Sequence, residues 1–392
     1  MARMNATRFA NRRLATNALG GASGCKSGST SVSGQARSAS LRAAELASPG
    51  GAGKLAAFAA LSKGAEAPWW LHQGVCANWG LDIFRSRLKL VTVSENATFC
   101  LEIDGQPFAM VRVSQPGYAG GSIAIASELA WVGSLRSVPD VNVLEPVALA
   151  TGFHVATIVD DVGCEWLCTA SRYIEGDTLE ALGDPSSSYR ILGSYTARLH
   201  QQARSWRPPQ GFTRFSWDVS AMVGEHPRWG RWQDALLSDD ERFLFSQAEW
   251  AAREIVAREG GIADTWELIH ADLRPSNIIK GPDGALTLID FDDCGYSWSM
   301  YDFAAALSFV EHEPYAPAMA RQWVEGYRSV MPLSDRTLAF ACALSMLRRL
   351  QMVGWTTNHY ADALPPGLHA EQVPGTVVCA LRYLDDPCWL LS

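Results

Sequence analysis

The sequence predicts an α+β protein of two lobes: a small β-sheet lobe with one inserted helix, then a larger, mainly α-helical lobe interrupted by one short hairpin. Three observations predict it. Short apolar runs from Leu88 to Val113 are joined through Asp104-Gly105, a strong hairpin signal because both residues tolerate the left-handed backbone of a two-residue turn. From Glu175-Gly176 onward apolar residues recur at helical spacing, as in YRILGSYTARLH, where Leu192, Tyr195 and Leu199 share one face. Between these helices, residues 267–295 revert to two strand-like runs around Gly281-Pro282-Asp283-Gly284.

Taken in chain order, residues 1–66 are rich in Ala, Ser, Gly and Arg and lack the apolar periodicity that would bury a core. They read as a disordered basic extension. The same composition fits an organellar transit peptide, or a start codon placed too far upstream. The small lobe is expected over 67–174, with strands LKLVTV, ATFCLEI and PFAMVRV, a helix near SIAIASELAWVGSL, and strands near HVATIV and EWLCTASRYI. The large lobe is expected over 175–392, ending in the long helical stretch TLAFACALSMLRRLQMVGW.

Composition narrows the function classes. With 48% apolar and 10% aromatic residues the chain is globular with a large core. Residues 1–66 hold nine of the 33 Lys and Arg and two of the 41 Asp and Glu, which leaves 24 basic against 39 acidic residues beyond them. That acidic balance disfavours nucleic acid as a partner and suits neutral or cationic ones. The nine cysteines are scattered without a C-x-x-C pair and read as reduced thiols of a cytoplasmic protein. The best apolar run, Phe303 to Val310, is bounded by Asp302 and Glu311 and falls short of the roughly 18 residues a membrane helix needs.

The chemistry is carried by ELIHADLRPSNIIKGPDGALTLIDFDDCG, residues 267–295. Ile278–Lys280 and Ala285–Ile289 form the hairpin, so Asn277 and Asp290 flank its open end. Antiparallel partners have Cα atoms about 4.5–5.5 Å apart, close enough for two side chains to share a metal. Two oxygen-bearing side chains with open positions for phosphate oxygens are what Mg²⁺ requires. Asp272, in the loop just before, can orient a hydroxyl and accept its proton as a bond to phosphorus forms.

The segment resembles the catalytic loop and metal motif of the protein-kinase-like superfamily, most closely the aminoglycoside phosphotransferase and choline kinase family, in the group of stress response kinase A and homoserine kinase-like enzymes. The SENATF turn, the YIEG hinge, the ARLH helix end, the WGRW run at 229–232 and IDFDDCG followed by YDFA extend the resemblance over about residues 67–360. It implies a bilobal protein-kinase-like fold and an ATP-dependent phosphotransferase acting on a hydroxyl of a small molecule or of a protein Ser or Thr. Residue by residue it implies Asp272 as catalytic base, His270 as the brace of its loop, Arg274 as a cation near the transferring group, and Asn277 and Asp290 as Mg²⁺ ligands. Arg112 stands where the family usually has the phosphate-contacting lysine, with Glu128 as its helix partner. Ser94 and Asn96, in place of a glycine-rich loop, would cover the phosphates, and adenine would lie against the backbone of Arg172–Gly176, which includes Tyr173 and Ile174.

Other readings stand beside these. Arg112 can be a solvated edge residue, and Ser94-Glu95-Asn96 an ordinary polar turn. Asp302 of YDFA either hydrogen-bonds the catalytic loop or caps a helix. Asp292 and Asp293 can extend the metal shell but read first as exposed loop carboxylates, His154 and His200 as structural histidines, and Trp217, Trp229 and Trp232 as core or interlobe packing. Because a guanidinium is not interchangeable with an ammonium, Arg112 also supports an alternative function, a pseudokinase or nucleotide sensor with little turnover.

Overall fold

The structure, a computed structural model, describes residues 58, 61–94, 96–114, 120–183, 185–261, 265–358 and 366–392. Most of the expected basic extension therefore lies outside the described residues. Its last part does not: Phe58 is buried in a core, Gly64 N–H donates to the Leu90 carbonyl at 2.7 Å, and Glu66 bridges Lys89. Folded structure thus begins before residue 67.

The first helix among the described residues, α1 (Trp69–Trp79), buries Leu71, Val75 and Trp79 at a spacing of four and ends at Gly80, whose φ of 67° is left-handed. Then comes a meander of β1 (Ser86–Val93), β2 (Asn96–Ile103) and β3 (Gln106–Ser114). The turn between β2 and β3 has φ 52° at Asp104 and 79° at Gly105, the geometry the Asp-Gly pair predicted. With β5 (Ala156–Val159) and β6 (Glu165–Arg172) they make a five-stranded antiparallel sheet in the order β1-β2-β3-β6-β5. Leu88, Phe99, Leu101, Val111 and Cys168, all from this sheet, meet Phe58 and Trp166 in one core.

The inserted helix is α2 (Gly121–Leu135), between β3 and the two-residue strand β4 (Asn142–Val143). Its Trp131, Val132 and Leu135 are buried in the second, larger core together with the helices beyond residue 179. One helix thus spans from the sheet side to the helical side, and Trp131 meets Phe291 edge-on at 5.6 Å between centroids.

Beyond β7 (Asp177–Thr178) and α3 (Leu179–Leu182) run α4 (Pro185–Ser205), α5 (Val219–Val223) and α6 (Asp239–Glu259). A reciprocal capping box between Ser238 and Glu241 starts α6. The chain then re-enters β structure with β8 (Trp266–Ile269), β9 (Ile278–Lys280), β10 (Leu286–Leu288) and β11 (Gly295–Trp298). The expected hairpin is β9–β10, which widens into a sheet in the order β4-β10-β9-β7. A second pair, β8 with β11, was not expected. Four helices complete the chain: α7 (Tyr301–Ala306), α8 (Ala316–Arg328), α9 (Asp335–Asn358) and α10 (Pro366–Asp385). Helix α9 is buried on nearly every side, and Arg348, Arg349 and Gln351 are among its buried residues.

Candidate active site

The loop between β8 and β9 is held by its backbone. Ala271 has a φ of 68°, a left-handed conformation that costs a non-glycine residue energy unless its surroundings impose it. Asp302 imposes it: Oδ1 accepts from Ala271 N–H at 2.6 Å and Oδ2 from His270 N–H at 3.3 Å. The same Oδ2 lies 3.1 Å from His200 Nε2, while His200 Nδ1 meets Tyr327 Oη at 3.0 Å. Asp302 is fully buried, and since Met300 occupies the cap position of α7, it is the loop-binding alternative that this aspartate adopts.

His270 ties the loop to the end of β10. Its Nε2 lies 3.2 Å from the Ile289 carbonyl and its Nδ1 accepts from Asp272 N–H at 3.3 Å, a pattern that fits the Nε2-protonated tautomer. The ring packs on Phe291 with centroids 4.5 Å apart.

Asp272 is thereby presented beside Asn277, whose Nδ2 donates to the Asp272 carbonyl at 2.8 Å and to Oδ2 at 3.0 Å. The Ile289 N–H to Asn277 carbonyl bond, 3.0 Å, continues the β9–β10 ladder and places Asp290 next along the chain. Asp290 is itself left-handed, at φ 64°. Its carboxyl is held well above the ordinary carboxylate value by the charge of Asp292 first, then by burial, by a hydrogen bond shared with Asp292 and by Asp272, with Arg112 opposing.

Asp292, expected as an exposed loop carboxylate, is instead half-buried and belongs to this cluster. Its Oδ2 accepts from Asn96 Nδ2 at 2.9 Å, so the β1–β2 turn reaches the carboxylates across 196 residues of sequence. Asn96 Oδ1 is buried without a hydrogen-bond partner among the described residues. Asp290 and Asp292 are neighbouring carboxylates that repel one another, and Asn277 adds an amide oxygen at the same end of the β9–β10 pair, the chemistry that suits a hard divalent cation. The residues fit such an ion.

Arg112 is not a solvated edge residue. Its Nη2 donates to Glu128 Oε2 at 2.8 Å, and the two side chains are 17% and 3% exposed. A third residue completes this pair without any sequence signal: Arg214, whose Nη1 lies 3.9 Å from the same Glu128 oxygen. Arg214 also donates to the carbonyls of Cys294 at 2.6 Å and Ala124 at 3.0 Å, and to that of Asp292. It ties α2 to the loop that carries the acidic cluster.

Two further arginines face the proposed base. Arg274 Nε lies 3.3 Å from Asp272 Oδ1 with its guanidinium over the Phe309 ring at 5.3 Å. Arg348, from α9, places Nη2 3.0 Å from the same oxygen. No sequence motif pointed to Arg348, because it lies 76 residues away in a helix that carries no part of the motif.

The remaining expected residues stand further out. Ser94 is exposed at the β1–β2 turn, with its N–H spent on the Asn96 carbonyl at 2.9 Å. Tyr173 is 42% exposed and its N–H donates to the Phe108 carbonyl at 3.1 Å, while Ile174 is half-buried in the same connection between β6 and β7. Trp217, Trp229 and Trp232 are core residues, as expected.

The sequence profile of the phosphotransferase enzyme family, APH, matches residues 90–333, which contain every element of this site except Arg348. The amicoumacin kinase of Bacillus subtilis (strain 168) is 24% identical over 234 residues, 59% of this chain and 66% of that protein, just under two thirds of its length. A solved structure of a microcompartment-associated aminopropanol kinase superposes with a TM-score of 0.72 at 33% identity, covering 82% of this chain and 99% of that one. Amicoumacin kinase hAmiN, solved in complex with AMP-PNP, Ca²⁺ and Ami, has a TM-score of 0.61 at 20% identity over 79% of this chain and 93% of that one, a likeness of fold.

Proposed function

This chain belongs to the phosphotransferase enzyme family, and we propose that it is a kinase that moves the γ-phosphoryl group of ATP to a hydroxyl of a small molecule. The observation that carries the proposal is the set Asp272, Asn277, Asp290 and Asp292: one carboxylate held by an amide at 3.0 Å beside an acidic pair that calls for a cation. Mg²⁺ is the ion proposed; it would neutralise charge on the phosphates, held by Asn277 and Asp290 with Asp292 beside them. Asp272 orients the acceptor hydroxyl and takes its proton as the new oxygen–phosphorus bond forms and the bond to the ADP oxygen breaks. Arg112, fixed by Glu128, and Asn96 at the β1–β2 turn lie on the phosphate side, with Ser94 at the rim of that turn. Arg274, ion-paired with Asp272 at 3.3 Å, is the cation that would answer charge on the transferring group. Tyr173 and Ile174 supply the edge for the adenine.

The acceptor class we propose is an amino alcohol. The 33% identical relative is named for aminopropanol, and the acidic balance of residues 67–392 suits a cationic compound. A protein Ser or Thr has no such support. None of the described helices is long and apolar enough to cross a membrane. Eight free cysteines among the described residues suit a reducing compartment, and the cytoplasm is the proposed location.

The test is phosphate transfer from Mg·ATP to aminopropanol and a panel of amino alcohols, read by ADP release and by ³¹P resonance of the product. Turnover should fall about 10²–10⁴-fold in Asp272→Asn with Mg·ATP affinity retained. Equal turnover in that variant would refute the base. Binding of Mg·ATP with transfer to no hydroxyl compound would favour the nucleotide sensor.

A further inference from the structure

Arg348 lies beyond residue 333, where the family match ends, and nothing in that match accounts for it. Its side chain is 1% exposed and each arm of the guanidinium is committed. Nη1 donates to Tyr301 Oη at 2.6 Å, Nε to Ser308 Oγ at 3.1 Å, and Nη2 to Asp272 Oδ1 at 3.0 Å. The guanidinium carbon stands 4.8 Å from the centre of the Trp229 ring and 5.3 Å from that of Tyr301. Tyr301 Oη in turn donates to Gln351 Oε1 at 2.7 Å, one turn further along α9. A cation this deeply buried is costly, and a plain contact between α7 and α9 would be made as well by apolar residues.

We propose that Arg348 is the positioning residue for Asp272, fixing the plane of the carboxylate so that it meets the acceptor hydroxyl in one orientation. The inference rests on Asp272 being the base. A carboxylate has two equivalent oxygens and a soft final torsion. Here Asn277 holds Oδ2 at 3.0 Å and Arg348 holds Oδ1 at 3.0 Å, so the two donors pin the group from both ends. A guanidinium neither takes nor gives a proton at working pH, so Arg348 acts through Asp272 and not on the substrate. Arg274 contrasts with it. Its side chain is 24% exposed, its Nε sits 3.3 Å from Oδ1, and that Nε has no hydrogen bond among the described residues. Arg348 is the fully bonded cation on Oδ1 and Arg274 the looser, partly exposed one.

The test uses Arg348→Lys, which keeps charge and stem but loses the fork, and Tyr301→Phe, which keeps the ring and removes one anchor of the guanidinium. Each is measured in the full chain for hydrolysis of Mg·ATP, with water in place of the unidentified acceptor, for Mg·ATP affinity by calorimetry, and for Asp272 orientation in crystals. Arg348→Lys should lower hydrolysis by at least about tenfold with affinity within about twofold of wild type, and Asp272 should turn away from Asn277. Tyr301→Phe should shift hydrolysis and Asp272 in the same direction by less, which keeps the inference testable if the lysine variant does not fold. Arg348→Lys combined with Asp272→Asn should lose nothing beyond Asp272→Asn alone. Loss in Asp272→Asn with wild-type hydrolysis and an unmoved Asp272 in both test variants overturns this inference alone, leaving the arginine a structural tie. Wild-type hydrolysis in Asp272→Asn overturns the base assignment and the inference with it.

Discussion

Ala271 and Asp290, both in the proposed site, sit at positive φ. At Ala271 the holding group is Asp302, through two backbone N–H bonds. At Asp290 the neighbouring Asp292, burial and Asp272 raise the carboxyl above its ordinary value of 3.8. A carboxyl raised by folding binds its proton more tightly in the native state. Its stabilising contribution is complete below 3.8 and is lost as pH climbs through the raised value. In metal-free solution, Asp290→Asn should therefore make the melting temperature less sensitive to pH as it rises above 3.8, measured by thermal unfolding in chelator. Identical slopes for variant and wild type would show that the fold does not hold that proton. The motif from His270 to Asp290 was legible because its spacing is local, whereas Asp292 was weighed too lightly: a carboxylate four residues past β10 looks exposed until Asn96 of the β1–β2 turn is seen to bond it.

At the scale of elements, α4 and α8 approach so closely that side chains are excluded. A Cβ on Gly193 would stand 1.9 Å from the Trp323 carbonyl oxygen, and one on Gly326 would stand 2.0 Å from that of Arg190. The contact presses α4, which carries His200, against α8, which carries Tyr327, and so places the histidine that buttresses Asp302. Gly193→Ala should destabilise the protein by about 1–3 kcal/mol, read as a lower denaturant midpoint with an unchanged slope. Gly133→Ala in α2 is the control: nothing lies within 4 Å of the added carbon, and helix propensity should make it neutral or stabilising by up to about 1 kcal/mol. The meander, the inserted helix α2 and the large-lobe helices α4 and α9 were legible from periodicity and turn residues, whereas α1, ahead of the sheet, was not expected. The β8–β11 pair was not, because four residues such as Gly295–Trp298 are too few to display a period, and only their antiparallel partner makes them a strand.

At the scale of the molecule, the described residues make two hydrophobic cores, one in the five-stranded sheet and one among the helices, and the proposed site collects groups from both sides. Asn96 and Arg112 come from the sheet, Asp272, Asn277 and Asp290 from the β8–β10 region, and Arg348 from α9. A ligand that bridges them stabilises the entire fold. Mg·ATP at a hundredfold excess over its dissociation constant should add about 2.7 kcal/mol, visible as a rise of several degrees in melting temperature, and Asp290→Asn should abolish the rise. A shift of equal size in that variant would place the metal elsewhere.

What the sequence determined by itself is whatever depends on neighbours along the chain: the Asp-Gly turn, the helical stripes, and the order of His270, Asp272, Asn277 and Asp290 that marks the chemistry. Tertiary structure alone decided which distant groups complete that order. Asn96 reaches Asp292 across 196 residues and Arg348 reaches Asp272 across 76. Arg214 meets Glu128 from a segment with no regular element of its own. Local spacing encodes turns and faces because backbone geometry repeats every two or 3.6 residues. No period carries a contact between residues so far apart, and only the packing of the two cores brings such pairs within hydrogen-bond reach.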